Sequence, residues 1–174
     1  YSPRERRTSI FQIIRTIDRI TDFSGAVIAW FTPLMVIFTC GVVAARYIFN
    51  IGSIGMQELV MYLHGCVFMI GIAFTLKEGG HVRVDVLHEK LSEKNKAIID
   101  IIGTLFFLMP FCFFIFFISL EYVRFAWTVQ ESSPDPGGLP GVFLLKTLIP
   151  IMAILVGFQG ISETLKNFCR LRSL

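Results

Sequence analysis

Four long apolar runs separate short polar segments along this chain. A helix needs about 20 mainly apolar residues to cross the hydrocarbon core of a bilayer with its backbone groups bonded internally. Each run reaches that length, and none shows the strict alternation of a barrel strand. The pattern therefore predicts an all-α membrane protein, built as a single membrane domain over residues 1–174. The predicted transmembrane helices cover residues 25–47, 56–76, 97–123 and 141–161.

Proline lies inside two of these predicted helices, at Pro33 and Pro110. Proline has no backbone N–H, and its ring collides with the carbonyl of the preceding turn. We therefore expect the first and third helices to bend or loosen next to these residues.

Apolar and charged residues also recur at helical spacing outside the four runs. Residues 1–24 place isoleucines and a phenylalanine on one stripe, with charged side chains on the other, and residues 80–96 repeat the pattern. Ser92 followed by Glu93 predicts a helix N-cap with an acid in the first turn. Amphipathic segments of this kind lie flat at a membrane surface. We expect two interfacial helices anchored in phospholipid, and contact with a protein partner remains equally open.

Positive charge is unevenly distributed between the two sides of the predicted bundle. The 16 Lys and Arg residues lie before the first predicted helix, between the second and third, or after the fourth, with three exceptions. The exceptions are Arg46, Arg124 and Lys146, all near predicted helix ends. Because Lys and Arg concentrate on the cytoplasmic side of membrane proteins, both termini, the 80–96 connection and the 162–174 tail are predicted to be cytoplasmic. The loop at 131–141 is then on the outer side.

Composition supports the membrane interpretation and excludes several classes of function. The chain is 54% hydrophobic and 17% charged, whereas soluble domains carry about 25% charged residues. Its net charge is only +3, and the sequence has no basic face of the kind that nucleic acid requires. We therefore expect no nucleic-acid partner.

The sequence has no pattern typical of a catalytic, metal or cofactor site. Its four cysteines have no short metal-binding spacing, and of its three histidines only His64 lies inside a predicted helix, whereas a haem bundle needs axial pairs. The predicted membrane centre has no ionisable side chain, and no phosphate-binding or hydrolase motif is present. We expect a non-enzymatic membrane subunit without a cofactor. A self-sufficient small membrane carrier or a redox membrane anchor remains the alternative.

The first outer connection is short and is flanked by opposite charges. Residues 49–55 separate Arg46, near the end of the first helix, from Glu58, near the start of the second. Pairing lowers the cost of holding a charge at the lipid boundary. The sequence therefore predicts an Arg46–Glu58 contact. The second outer connection, 131–141, is rich in Pro and Gly and is predicted to be an irregular loop.

Two stretches resemble a known family. The run ARYIFNIGSIGMQELVMYLHG at 45–65, followed by GGHVRVDVL at 79–87, is similar to the small membrane subunit of tripartite ATP-independent periplasmic (TRAP) transporters. In that family an R-Y-x-F-N run ends the first helix, an E-E-L-like run opens the second, and G-H-x-x-V-D follows. The matching residues are Arg46, Tyr47, Phe49 and Asn50, then Gln57, Glu58 and Leu59, then Gly80, His81, Val84 and Asp85. This chain has Gly55 and Gln57 where the family often has a Trp and an acid.

The resemblance implies a three-part importer in the bacterial inner membrane. A periplasmic binding protein captures an organic acid or similar solute, a large membrane subunit moves it by a sodium-driven elevator motion, and the small subunit braces the static scaffold. The residues expected to contact the large subunit are Arg46, Tyr47, Asn50, Glu58, His81, Arg83 and Asp85. Those expected to contact the binding protein are Ser53, Glu131 and Asp135, the last two in the periplasmic loop 131–141.

Overall fold

A computed structural model describes residues 3–80 and 91–172, with side chains from residue 10 onward, and every regular element in these ranges is helical. The helices are α1 (Pro3–Ala29), α2 (Phe31–Ile48), α3 (Ile54–Lys77), α4 (Glu93–Gly103), α5 (Met109–Thr128) and α6 (Val142–Leu171). A π-helical turn, Thr104–Leu108, joins α4 to α5. These elements form four spans long and apolar enough to cross a membrane: Ile10–Ile48, Ile54–Lys77, Glu93–Thr128 and Val142–Leu171. The predicted set of four membrane helices is confirmed.

Both prolines that were expected to disturb a helix lie next to an irregularity. The first span is interrupted at Trp30, because Pro33 cannot donate to the carbonyl of Ala29 and its ring crowds that carbonyl. The π-helical turn Thr104–Leu108 ends just before Pro110, as expected where a proline removes a regular helical hydrogen bond. The predicted loosening is therefore found in both helices.

Side-chain capping marks the starts of α3 and α4. The hydroxyl of Ser53 accepts a hydrogen bond from the backbone N–H of Met56 at the start of α3. The hydroxyl of Ser92 does the same for Asn95 at the start of α4. These contacts satisfy backbone donors that have no partner within the helix. The predicted N-cap at Ser92 is confirmed, and Ser53 has a structural role in addition to any partner contact.

Helix α6 is the centre of the bundle and packs against α1, α3, α4 and α5. Its buried residues are Pro150, Ala153, Val156, Gln159, Gly160 and Ser162. A Cβ atom at Gly160 would lie 3.0 Å from Leu108 and 3.3 Å from Thr104, so this glycine makes room for the π-helical turn. Most of the phenylalanines of α5 are exposed on the outside of the bundle. An apolar exterior around small, tightly packed contacts is typical of helices surrounded by lipid.

The N-terminal helix belongs to this bundle. Ile14, Thr21 and Ile28 are buried at seven-residue intervals along α1, and α1 packs against α3 and α6. The placement of residues 1–24 at a membrane surface stays a prediction. Of the second predicted interfacial segment, 80–96, residues 81–90 lie outside the described part of the chain.

Close packing of α1 on α3 depends on Gly25. A Cβ atom there would lie 2.6 Å from Cδ2 and 2.8 Å from Cγ of Phe74. We expect Gly25→Ala to push the helices apart and to lower stability by about 1–3 kcal/mol, as overpacked contacts do. Thermal unfolding in detergent measures this as a fall in Tm of several degrees. Gly71→Ala is the matched control because a Cβ at Gly71 of α3 meets nothing within 4 Å, and an equal shift in both variants would contradict the interpretation.

Candidate functional site

The loop at 131–141 is folded back onto Glu58 of α3. One carboxylate oxygen of Glu58 accepts a hydrogen bond from the hydroxyl of Ser133, and the other accepts from the backbone N–H of Leu139 at 2.6 Å. Within the loop, the N–H of Ser133 donates to the carbonyl of Leu139 at 3.1 Å, and that of Gly138 donates to Asp135 at 2.9 Å. Hydrogen bonds to an ionised group are the stronger class. A single carboxylate therefore holds two points of this loop to the helix below it.

Two glycines make this loop conformation possible. Gly137 has φ +82°, in the left-handed region that side chains disfavour. A Cβ at Gly138 would lie 2.8 Å from Glu58 Oε1 and would also collide with Ser133. A side chain at Gly138 would therefore block the contact between the loop and Glu58.

The predicted Arg46–Glu58 contact is wrong. Among the described residues no ion pair joins these side chains, and both oxygens of Glu58 accept hydrogen bonds from the 131–141 loop instead. Arg46 is exposed in the last turn of α2, and Tyr47 beside it is 83% exposed. Asn50 follows with φ +56°, where the chain turns toward α3. Arg46, Tyr47 and Asn50 are thus all exposed at the end of α2 and just after it.

The start of the same loop is attached to α6. Lys146 donates to both carboxylate oxygens of Glu131 at 2.6 Å, and its ammonium lies 4.0 Å from the centre of the Tyr122 ring. The backbone N–H of Phe143 donates to the carbonyl of Glu131 at 3.4 Å. Glu131 is paired within the chain and Asp135 is exposed, and their contact with a partner stays a prediction. The loop is thus anchored to α3 and α6, with its acidic turn facing outward.

A polar cluster lies at the opposite end of the bundle, between α1 and α6. We call it the Gln159 cluster, and it consists of Asp18, Thr21, Gln159, Ser162, Glu163 and Lys166. Gln159 is 0% exposed. Its carbonyl oxygen accepts from the Thr21 hydroxyl at 2.7 Å, and its amide nitrogen donates to Asp18 at 3.2 Å and to Glu163 at 2.9 Å. Both N–H groups of the Gln159 side-chain amide therefore have an acceptor.

The charged members of the cluster share one cation. Lys166 pairs with Asp18 at 2.9 Å and with Glu163 at 2.8 Å. The buried hydroxyl of Ser162 donates to Asp18 at 2.8 Å. Each carboxylate therefore has a cation and at least one uncharged donor, which offsets the cost of removing it from water.

Two more ion pairs connect helices at this end. Lys77, the last residue of α3, pairs with Asp22 of α1. Arg170 of α6 pairs with Glu93 at the start of α4. Together with the Gln159 cluster, these contacts join all four membrane spans to one another at a single end.

The sequence analysis predicted no contact for Lys146 and did not identify the Gln159 cluster. The signal available for the cluster was Gln159 itself, an amide inside the apolar run at 141–161. The predicted contact residues His81, Arg83 and Asp85 lie outside the described ranges. In those ranges no group of three or more His, Cys, Asp and Glu side chains could hold a metal ion.

Comparison with known protein families identifies the family of this chain. Residues 35–170 match the family model described as tripartite ATP-independent periplasmic transporters, DctQ component. The chain belongs to the DctQ family. This DctQ protein is therefore a multi-pass membrane protein and the small membrane component of a tripartite transporter, as its resemblance implied. No curated protein and no solved structure gave a significant match.

Proposed function

We propose that this DctQ chain is the non-catalytic brace of a sodium-coupled importer. In this proposal it holds the static part of a large elevator-type membrane subunit and helps to dock the periplasmic binding protein. The imported solute is an organic acid or a similar compound. The complex lies in the bacterial inner membrane, with both termini of this chain in the cytoplasm.

The observation that carries the proposal is that polar contacts link the helices at both ends of the bundle. Glu58 and Lys146 attach the 131–141 loop to α3 and α6 at one end, and Asp22–Lys77 is among the ion pairs at the other. A bundle linked in this way resists sliding of its helices. Rigidity suits a subunit against which another subunit moves.

The 131–141 loop is the proposed docking surface for the binding protein. Its backbone is held by hydrogen bonds within this chain, so docking does not have to include the full entropy cost of folding a loop. Asp135 is the exposed acid of this surface, and Ser53 lies at the start of the neighbouring helix α3.

The large membrane subunit is proposed to contact the exposed surface formed by Arg46, Tyr47 and Asn50. Arg46 has no carboxylate partner among the described residues and is available to one on the other subunit. The proposed role of Glu58 changes from subunit contact to support of the docking loop. His81, Arg83 and Asp85 remain proposed contacts on the cytoplasmic side.

Co-purification tests this proposal. The chain is expressed with the other components of its transporter, extracted in mild detergent, and separated by size. We expect a much larger polytopic protein to elute with it at a fixed ratio, and the Arg46→Ala variant to reduce that ratio more than Arg124→Ala. A chain that elutes alone and transports solute by itself, or that carries a visible haem absorbance, would overturn the proposal in favour of a carrier or a redox anchor.

A further inference from the structure

Helix α1 extends beyond the end of its neighbour α3. The first span has 39 residues and the second has 24, which at 1.5 Å per residue correspond to about 58 Å and about 36 Å. The pair between Asp22 and Lys77 marks the level at which α3 ends. The part of α1 before Asp22 therefore continues past α3, and α6 is the described helix that remains beside it.

Polar contacts attach this extension to α6. Asp18 accepts from Ser162 and Gln159 and pairs with Lys166, and Thr21 donates to Gln159. Three apolar side chains of the extension point away from the bundle, since Phe11, Ile13 and Ile20 are 59%, 49% and 51% exposed, whereas Ile14 is buried. Apolar contact of the extension with the bundle is thus limited to part of its side chains, and the Gln159 cluster supplies its polar attachment to α6.

The same extension has the pattern of a helix that lies on a membrane surface. Its exposed apolar side chains are accompanied by exposed Arg15 and Arg19, and a helix with basic and apolar faces binds at the interface between lipid head groups and acyl chains. Two placements of the extension therefore suit its sequence, one along α6 and one on the membrane surface.

We propose that the Gln159 cluster is a latch that holds the N-terminal extension of α1 along α6, and that opening it releases the extension onto the membrane surface. Gln159 is the centre of this latch because it binds Thr21 and Asp18 of α1 and Glu163 of α6 at once. Release leaves Lys166 paired with Glu163, so α6 retains a neutralised pair in the open state. This latch is a property of the chain itself and does not rest on the proposed function.

Distance measurement between two spin labels tests the latch. Labels are attached at Phe11→Cys, on the extension, and Leu144→Cys, near the opposite end of α6, because both native side chains are exposed. The four native cysteines are first replaced by alanine, and the full chain is placed in lipid nanodiscs. With the latch intact we expect one narrow distance distribution. In Gln159→Leu and in Thr21→Val we expect that narrow distribution to be lost and shorter or broader distances to appear.

Thr16→Val is the matched control for Thr21→Val. Thr16 lies on the same helix, but it is exposed and its hydroxyl donates only to the backbone of Gln12, so its replacement is expected to leave the distribution narrow. A narrow, unchanged distribution in both Gln159→Leu and Thr21→Val would overturn the proposal. If Gln159→Leu loses its helical circular dichroism, the milder Thr21→Val decides alone.

Discussion

Glu58→Ala is expected to weaken docking of the periplasmic binding protein by about 100-fold or more. The substitution removes both hydrogen bonds that hold the 131–141 loop to α3, and each bond to a charged group contributes about 1.5–3 kcal/mol. The released loop would then have to be ordered by the partner, and every 1.4 kcal/mol of that cost lowers affinity by about tenfold. Surface plasmon resonance between the immobilised membrane complex and the binding protein measures the loss.

Glu121→Ala is the control for this experiment. Glu121 is an exposed acid on α5, so its replacement changes the net charge equally without releasing the loop. We expect near-normal affinity in Glu121→Ala and normal assembly of both variants with the large subunit. Equal affinities for Glu58→Ala and the unmodified complex would show that the loop is not the docking surface.

Lys166→Met is expected to destabilise the bundle strongly. The substitution leaves Asp18 and Glu163 in the Gln159 cluster without their shared cation. Removing one partner of a buried ion pair costs about 3–5 kcal/mol. We expect about 1–3 kcal/mol here because 33% of the Lys166 side chain is exposed and water screens the remaining charges. The yield of monodisperse protein in mild detergent and its Tm should both fall.

Lys94→Met provides the comparison. Lys94 is exposed in the first turn of α4, and its loss changes charge and hydrophobicity in the same way. The Tm of the Lys94→Met variant should remain close to that of the unmodified chain. A Lys166→Met protein as stable as Lys94→Met would mean that the cluster contributes little to stability.

The membrane fold was predictable because its determinants are local in sequence. Twenty or more apolar residues in succession predict a span wherever they occur, and the effects of Pro33 and Pro110 act on the preceding turn of the same helix. Ser92 caps the backbone three residues later. None of these inferences requires knowledge of which helices are neighbours.

The polar contacts were not predictable because they join residues that are far apart in sequence. Asp18 and Ser162 are 144 positions apart, and only the packing of α1 on α6 brings them together. The Arg46–Glu58 prediction failed because nearness in sequence was taken as nearness in space. The partner that reaches Glu58 is a loop 75 residues away in sequence.

These contacts hold together a bundle that has few buried large side chains, as the proposed scaffold role requires. Membrane helices lack the hydrophobic driving force that packs soluble proteins, and they rely on close approach and hydrogen bonds. Gly25 and Gly160 provide close approach between helices. Gln159 and Glu58 provide hydrogen bonds at opposite ends of the bundle. We infer that the bundle owes its rigidity to these few positions.

Reconstituted transport tests the central claim most directly. Proteoliposomes are prepared with the large membrane subunit alone, with this chain alone, and with both, and sodium-driven uptake of the bound solute is measured after addition of the loaded binding protein. We expect uptake only when both membrane proteins are present. Uptake by this chain alone, or full uptake by the large subunit in its absence, would contradict a role as an essential non-catalytic brace.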